Sequence, residues 1–182
     1  MIILTRSERE ERLNLVSKIK LKDVVLGRGH DCGGLIAEVY MGRTKVADFH
    51  DDGWGGIPEV NYASKELEKK LKDYISSSGA LEHILRTDYR DFKKQDISQE
   101  ELVHILVDNI AVYMEELKEI KKLQTKALVL EKDGKTYTID LRLPVARFKK
   151  DPQGVTTLIN LMRKQIKDGY TILNTNTKGL PV

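Results

Sequence analysis

The chain has 182 residues, of which 40% are hydrophobic and 32% charged, and its net charge is +3. This balance is typical of a folded globular protein and excludes a disordered polyampholyte, a collagen-like repeat and a membrane protein. Its apolar runs are far shorter than the ~20 residues of a spanning helix and no signal peptide opens the chain, so we expect a cytoplasmic protein.

The N-terminal residues predict a short helix followed by a strand. Overlapping capping boxes open at Thr5 and Ser7, each with a glutamate three positions later, and this spacing is typical of a helix start. The alternation of apolar and basic residues at 19–22 predicts a half-buried strand.

A β-hairpin is predicted next, because two β-rich arms, 35–40 and 45–50, flank a glycine-bearing reversal. Glycine-rich segments lie on both sides of the hairpin, at 27–34 and at 51–56. Since the arms are antiparallel and of nearly equal length, the two glycine-rich segments must meet at the open end of the hairpin.

Three helices are predicted after this hairpin. Ser64 begins an amphipathic helix that ends at 76–79, and a short helix follows around 81–85. Ser98 begins a long amphipathic helix, whose apolar residues recur every three or four positions as far as Leu123. His83 and His104 lie on these helices, where we expect surface or hydrogen-bonded histidines.

The C-terminal third predicts a second hairpin and a last helix. Asp133-Gly134 between β-rich arms is a strong hairpin signal. In chain order the elements are the arms 127–131 and 136–143, a helix after Asp151 that ends at 168–169, a strand at 170–173 and a frayed polar tail at 174–182.

Together these elements predict the α+β class, with two β-hairpins, a long central amphipathic helix and a C-terminal helix. A chain of this length usually forms one core, so we expect a single domain over residues 1–182. The apolar spine of the long helix suits either the core of a monomer or a homodimer interface.

The open end of the first hairpin is the predicted binding site. There we expect Arg28, His50, Asp52 and Trp54 to recognise a partner protein or a small anionic ligand. Arg28 would contact a phosphate, the glycine N–H groups would form an anion nest, and Trp54 would stack on a base. A purely structural pair of turns would have the same composition, because turns favour Asp and Gly.

Two alternatives from other functional classes remain open. His30, Cys32, His50 and Asp52 offer nitrogen, sulfur and oxygen donors for a metal-dependent hydrolase or nuclease. Their spacing matches no known ligand motif, and the sequence indicates no particular cofactor.

The second alternative is nucleic-acid binding, because residues 118–182 contain 14 Lys and Arg against 6 Asp and Glu. A solvated helix surface would give the same excess of positive charge. The candidate residues are Arg142, Arg147, Lys149, Lys150, Arg163, Lys164 and Lys167.

Residues 35–56, LIAEVYMGRTKVADFHDDGWGG, contain a glycine turn, then Lys-Val-Ala, then an acidic segment that ends in Gly-x-Gly-Gly. This segment resembles a hairpin pattern of small uncharacterised phage and prophage proteins. The resemblance carries no activity over, but it implies a role in the interaction of phage and host. It therefore favours a non-enzymatic binding protein with a host protein as partner.

Overall fold

The computed structural model describes residues 6–27, 34–87 and 97–182. Within these ranges the α+β class is confirmed, with both hairpins, the long helix and the C-terminal helix in place. The elements are α1 (Arg6–Leu15), β1 (Ile19–Leu26), β2 (Leu35–Met41), β3 (Thr44–Asp51), β4 (Glu59–Tyr62), α2 (Lys65–Ser77), α3 (Ala80–Thr87), α4 (Gln99–Leu123), β5 (Ala127–Lys132), β6 (Lys135–Asp140), α5 (Val145–Phe148), α6 (Pro152–Lys167), β7 (Thr171–Ile172) and a 3₁₀ turn (Thr175–Thr177).

The chain divides into two compact units, an N-terminal unit (Met1–Tyr113) and a C-terminal unit (Met114–Val182). Helix α4 begins in the first unit and ends in the second. The single domain expected over residues 1–182 therefore stays a prediction.

The sheet of the N-terminal unit is antiparallel, with the strand order β1-β2-β3-β4. Strands β2 and β3 form the predicted hairpin, and Leu35 lies opposite Asp51 at its open end. Just outside the strands, the N–H of Gly27 donates to the carbonyl oxygen of Gly34 at 2.7 Å. This bond closes the first glycine-rich segment on itself. A Cβ added to Gly34 would lie only 2.9 Å from Asp51 O, so the described end of the first segment does meet the start of the second, as the hairpin geometry requires.

Strand β4 is an element that the sequence does not predict. Only four residues long, it follows Pro58 and pairs with β3, with Val60 opposite Phe49. So short a segment has too few residues for a periodic pattern. Its conformation depends on the neighbouring strand, which supplies the hydrogen-bond partners.

One face of this sheet is apolar and the other is charged, as the alternation of a strand dictates. Leu21, Val39 and Ala47 lie side by side on the buried face. On the other face Lys45 Nζ bonds Glu38 Oε1 and Asp48 Oδ1, each at 2.7 Å.

Arg12 is a buried charge in the core of the N-terminal unit, with 0% of its surface exposed. Its guanidinium donates from Nε to His83 Nδ1 at 3.4 Å and from its two amino groups to Asn109 Oδ1 at 2.9 Å and Thr87 Oγ1 at 2.7 Å. These bonds tie α1 to α3 and α4. The sequence gives no signal for this role, because Arg is rarely buried.

The C-terminal unit contains a second antiparallel sheet in the order β6-β5-β7. Asp133 and Gly134 both have positive φ, +51° and +72°, which matches the hairpin turn predicted for Asp-Gly. Helix α5, which the sequence does not predict, adds Val145 to the core. The buried members of this core are Leu128, Leu130, Val145, Leu158 and Met162.

The segment that follows β7 is held by buried amide side chains. Asn174, only 4% exposed, donates from Nδ2 to Ala127 O at 3.0 Å and accepts at Oδ1 from Val129 N at 2.6 Å. Gln124 Nε2 donates to Leu173 O at 2.9 Å. This differs from the frayed tail predicted for 174–182, because the Asn174 amide bonds β5 after strand β7 has ended.

In the described ranges, no helix is long and apolar enough to cross a membrane.

Candidate functional site

The candidate site is the open end of the first hairpin, where neighbouring residues of β3 point to opposite faces of the sheet. His50 is exposed on the charged outer face, in register with Ile36 on β2 and Glu59 on β4. Asp51 is on the inner face, in register with the buried Leu35. The site therefore has an outer and an inner side.

Exposed apolar side chains are concentrated at this end of the sheet. Val25 and Ile36 lie on its outer side, whereas Leu26 is in register with Leu35 on the inner side. Among the residues that the structure describes, ten large hydrophobic side chains are exposed, and five belong to this region. Trp54 is 67% exposed and Ile57 is 90% exposed, whereas Val25 and Ile36 are cross-strand partners on β1 and β2. The hairpin-end patch consists of Val25, Leu26, Ile36, Trp54 and Ile57.

Two aspartates fix the loop that carries Trp54. Asp51 Oδ1 accepts from the N–H of Gly53 at 2.8 Å, and Asp52 Oδ1 accepts from the N–H of Trp54 at 2.9 Å. Gly53 has a φ of +73°, a conformation that glycine adopts without a steric penalty. The loop therefore presents Trp54 from a hydrogen-bonded turn, and Asp52 acts first as a turn residue.

A polar stripe on α4 lies near the inner side of the hairpin end. Glu100, His104 and Asp108 recur every four residues and therefore share one face of the helix. The His104 ring contacts Phe49 of β3 edge to face, with the ring centroids 5.8 Å apart. Among the described residues, the buried Nε2 atom of His104 has no hydrogen-bond partner.

The electrostatics of this stripe follow from its partial burial. Burial lowers the pKa of His104, although the negative charges of Glu100, Glu101 and Asp51 oppose the shift. Burial also raises the pKa of Asp108, and the negative charge of Asp51 adds to this effect. Both groups are thus shifted toward their neutral forms.

At the start of α4 the stripe continues into a satisfied ion-pair network. Lys72 Nζ bonds Glu100 Oε2 at 2.5 Å and Glu68 Oε1 at 2.7 Å, and Tyr62 donates to Glu100 Oε1 at 3.0 Å. Burial alone would raise the pKa of Glu100, but the hydrogen bonds from Lys72 and Tyr62 outweigh it and lower the pKa. This network joins β4, α2 and α4 and is structural in character.

The predicted site residues are only partly within the described ranges. Arg28, His30 and Cys32 lie outside them, so their positions relative to His50 and Asp52 are not tested. Within the described ranges no group of three His, Cys, Asp or Glu side chains has the arrangement of a metal site. The proposed metal-ligand set therefore stays a prediction.

All seven basic residues predicted to bind nucleic acid are exposed. Two of them contact the C-terminal segment: Lys149 Nζ donates to Asn176 O at 3.1 Å and Arg163 to Pro181 O at 2.9 Å. The structure describes the whole of Met114–Val182, and of the 14 Lys and Arg there only Lys118 forms an ion pair with a described carboxylate. Helix α6 contains no Asp or Glu at all.

Sequence reasoning did not identify two features of the N-terminal unit. The first is the polar stripe on α4, although the spacing of four between its members was visible. The second is the buried Arg12, which donates to Nδ1 of His83. The Nε2 atoms of His83 and His104 both have no hydrogen-bond partner among the described residues.

Comparison with known proteins identifies no relative of this chain. No protein-family model matches it, and no curated protein and no solved structure matches it.

Proposed function

We propose that this protein is a non-enzymatic, cytoplasmic binding protein that recognises a partner protein through the hairpin-end patch. The concentration of exposed apolar side chains at one end of the sheet carries this proposal. Such clusters mark interaction surfaces on soluble proteins, whereas singly scattered apolar residues need no explanation. Trp54 and Ile57 are the most exposed members and provide the expected anchors.

The patch favours a protein over a small anionic ligand. Its five members carry no charge, and the carboxylate of Asp52 is engaged in the turn that holds Trp54. An anion would need cationic groups, and none of the five members of the patch provides one. The resemblance of residues 35–56 to phage and prophage proteins makes a host protein the expected partner.

Site-specific photo-crosslinking in the native cell tests this proposal. A photoreactive amino acid replaces Ile57 in one version of the chain and the exposed Lys70 of α2 in a control version. We expect one discrete protein adduct from position 57 and none from position 70. The same adducts from both positions would contradict the proposal.

A charge substitution in the patch sharpens the test. Ile36→Lys places an unpaired charge in the interface and should lower the affinity for the crosslinked protein by about tenfold or more. Asn61→Lys adds the same charge to the outer face of β4, outside the patch, and serves as the matched control. Equal binding by Ile36→Lys and wild type would show that the patch is not the interface.

A second candidate function is nucleic-acid binding by the C-terminal unit, favoured by the unpaired cations there. Binding to a short DNA duplex should then weaken steeply with salt, with a slope near 0.9 per phosphate contact in a double-logarithmic plot. Replacing Arg147 and Lys150 with Gln should reduce that slope by about two. Binding that is undetectable or independent of salt would exclude this function.

A further inference from the structure

The C-terminal unit has an apolar groove of about 500 Å³ that the proposed functions do not use. Met162, Ile166, Ile172 and Leu180 line it. Met162 is buried in the core of the unit, and Ile172 and Leu180 pack against that core, whereas Ile166 is 47% exposed. The groove is therefore a place where the hydrophobic core of this unit reaches the surface.

The walls of the groove are fixed by tertiary contacts. One wall is the C-terminal half of α6, and the other is the segment that follows β7. Asn174 anchors the start of this segment on β5, Gly179 turns it with a φ of +87°, and Arg163 holds Pro181 O at 2.9 Å. The groove is therefore already formed before any ligand binds.

The charged side chains at the groove are cations. Lys178 lines it, and the Arg163 guanidinium lies at the wall through its bond to Pro181. Its lining contains no aspartate or glutamate, and neither cation forms an ion pair with a described carboxylate. Its volume falls within the ~300–1,000 Å³ of typical ligand sites, which combine an apolar lining with a few polar groups.

We propose that this groove binds an anionic amphiphile, that is, a molecule with an acyl or aromatic body and a carboxylate or phosphate at one end. The apolar body lies on Ile166, Ile172 and Leu180, where it removes apolar surface from water. The anionic end lies beside Lys178 and Arg163, which provide the opposite charge. This site is in the C-terminal unit and is independent of the hairpin-end patch.

The test is a titration of the full chain with dodecanoate, followed by NMR of its methyl groups. Dodecyltrimethylammonium has the same acyl length and the opposite charge and serves as the matched probe. We expect dodecanoate to shift the methyl signals of Ile166, Ile172 and Leu180, and the cationic probe to bind at least tenfold more weakly. Octyl phosphate in place of dodecanoate distinguishes a phosphate end from a carboxylate end.

Two charge reversals on the same unit locate the anionic end. Lys178→Glu should weaken dodecanoate binding about tenfold, because the repelling charge lies in the groove. Lys164→Glu makes the same change on the exposed face of α6, outside the groove lining, and should leave the affinity within twofold. Ile166→Asp, at a half-exposed position, should abolish binding while the other methyl signals keep their positions.

Several results would overturn the proposal. Equal affinity for the two probes would show that the groove does not select an anion. Equal weakening by Lys178→Glu and Lys164→Glu would assign the effect to the net charge of the unit. Shifts of the groove signals with protein concentration, in the absence of any probe, would show that a second copy of the chain fills the groove.

Discussion

Replacing Asn174 with aspartate is the sharpest test of how the C-terminal segment is held. The side-chain amide donates from Nδ2 to Ala127 O at 3.0 Å and to Asn176 Oδ1 at 3.1 Å. The substitution exchanges this NH₂ group for an oxygen of nearly equal size, so two donors are lost and a negative charge faces two oxygens. The site is only 4% exposed, and water cannot replace the lost bonds.

The expected cost follows from these contacts. Each lost hydrogen bond contributes about 1 kcal/mol, and a buried acceptor left without a donor adds roughly 1–3 kcal/mol. We therefore expect Asn174→Asp to lower the free energy of unfolding of the C-terminal unit by about 3–5 kcal/mol. Asn160→Asp, on the exposed face of α6, makes the same chemical change and should stay within about 0.5 kcal/mol of wild type.

Hydrogen exchange of the backbone amides measures this change for each unit separately. The amides of β5 should lose protection by the full amount, since they report on the C-terminal unit. The fluorescence of Trp54, the only tryptophan, reports on the N-terminal unit during urea unfolding. If Asn174→Asp leaves the β5 amides within about 0.5 kcal/mol of wild type, the amide does not anchor the segment and the reasoning is wrong.

Three further predictions concern residues that are buried or half-buried. Burial lowers the pKa of His104 below its unfolded value of about 6.5. The free energy of unfolding should therefore fall as the pH drops below that value, because the unfolded state binds the proton first. Urea unfolding at pH 7.5 and 5.5 should show a smaller fall for His104→Phe than for wild type. Arg12→Lys removes the planar fork that bonds three side chains and should lower the free energy of unfolding of the N-terminal unit by about 3 kcal/mol, measured by the Trp54 fluorescence transition. Gly154→Ala should destabilise by about 1–3 kcal/mol in a thermal melt despite the higher helix propensity of alanine, because its Cβ would lie 2.7 Å from Phe148 O; a raised melting temperature would contradict this.

Elements specified by neighbouring residues could be predicted from the sequence. Ser64 caps α2 by accepting from Leu67 N at 3.2 Å, and Asp151 caps α6 by accepting from Gly154 N at 2.8 Å. The Asp133-Gly134 turn adopts the positive φ values that its composition predicts. Each of these signals depends on residues within four positions of one another, so the sequence contains all the information that they need.

The candidate sites depended more on contacts between distant residues. The sequence predicted that the glycine-rich segments would meet, but not that apolar side chains would be exposed there, because strand alternation does not say which face stays uncovered. The groove beside Lys178 was not predicted either, since a polar tail has no apolar periodicity.

The sequence by itself determined every helix except α5, together with the two hairpins and their turns, because hydrogen bonding and side-chain periodicity along the chain are local properties. Only the tertiary structure decided the position of β4, the burial of Arg12 and the anchoring of the tail by Asn174. The bond between Arg12 and His83 joins residues 71 positions apart, and that between Asn174 and Ala127 joins residues 47 apart. Burying such a polar group costs free energy unless it is hydrogen bonded, and here the bonding partners are distant residues that no local pattern can indicate.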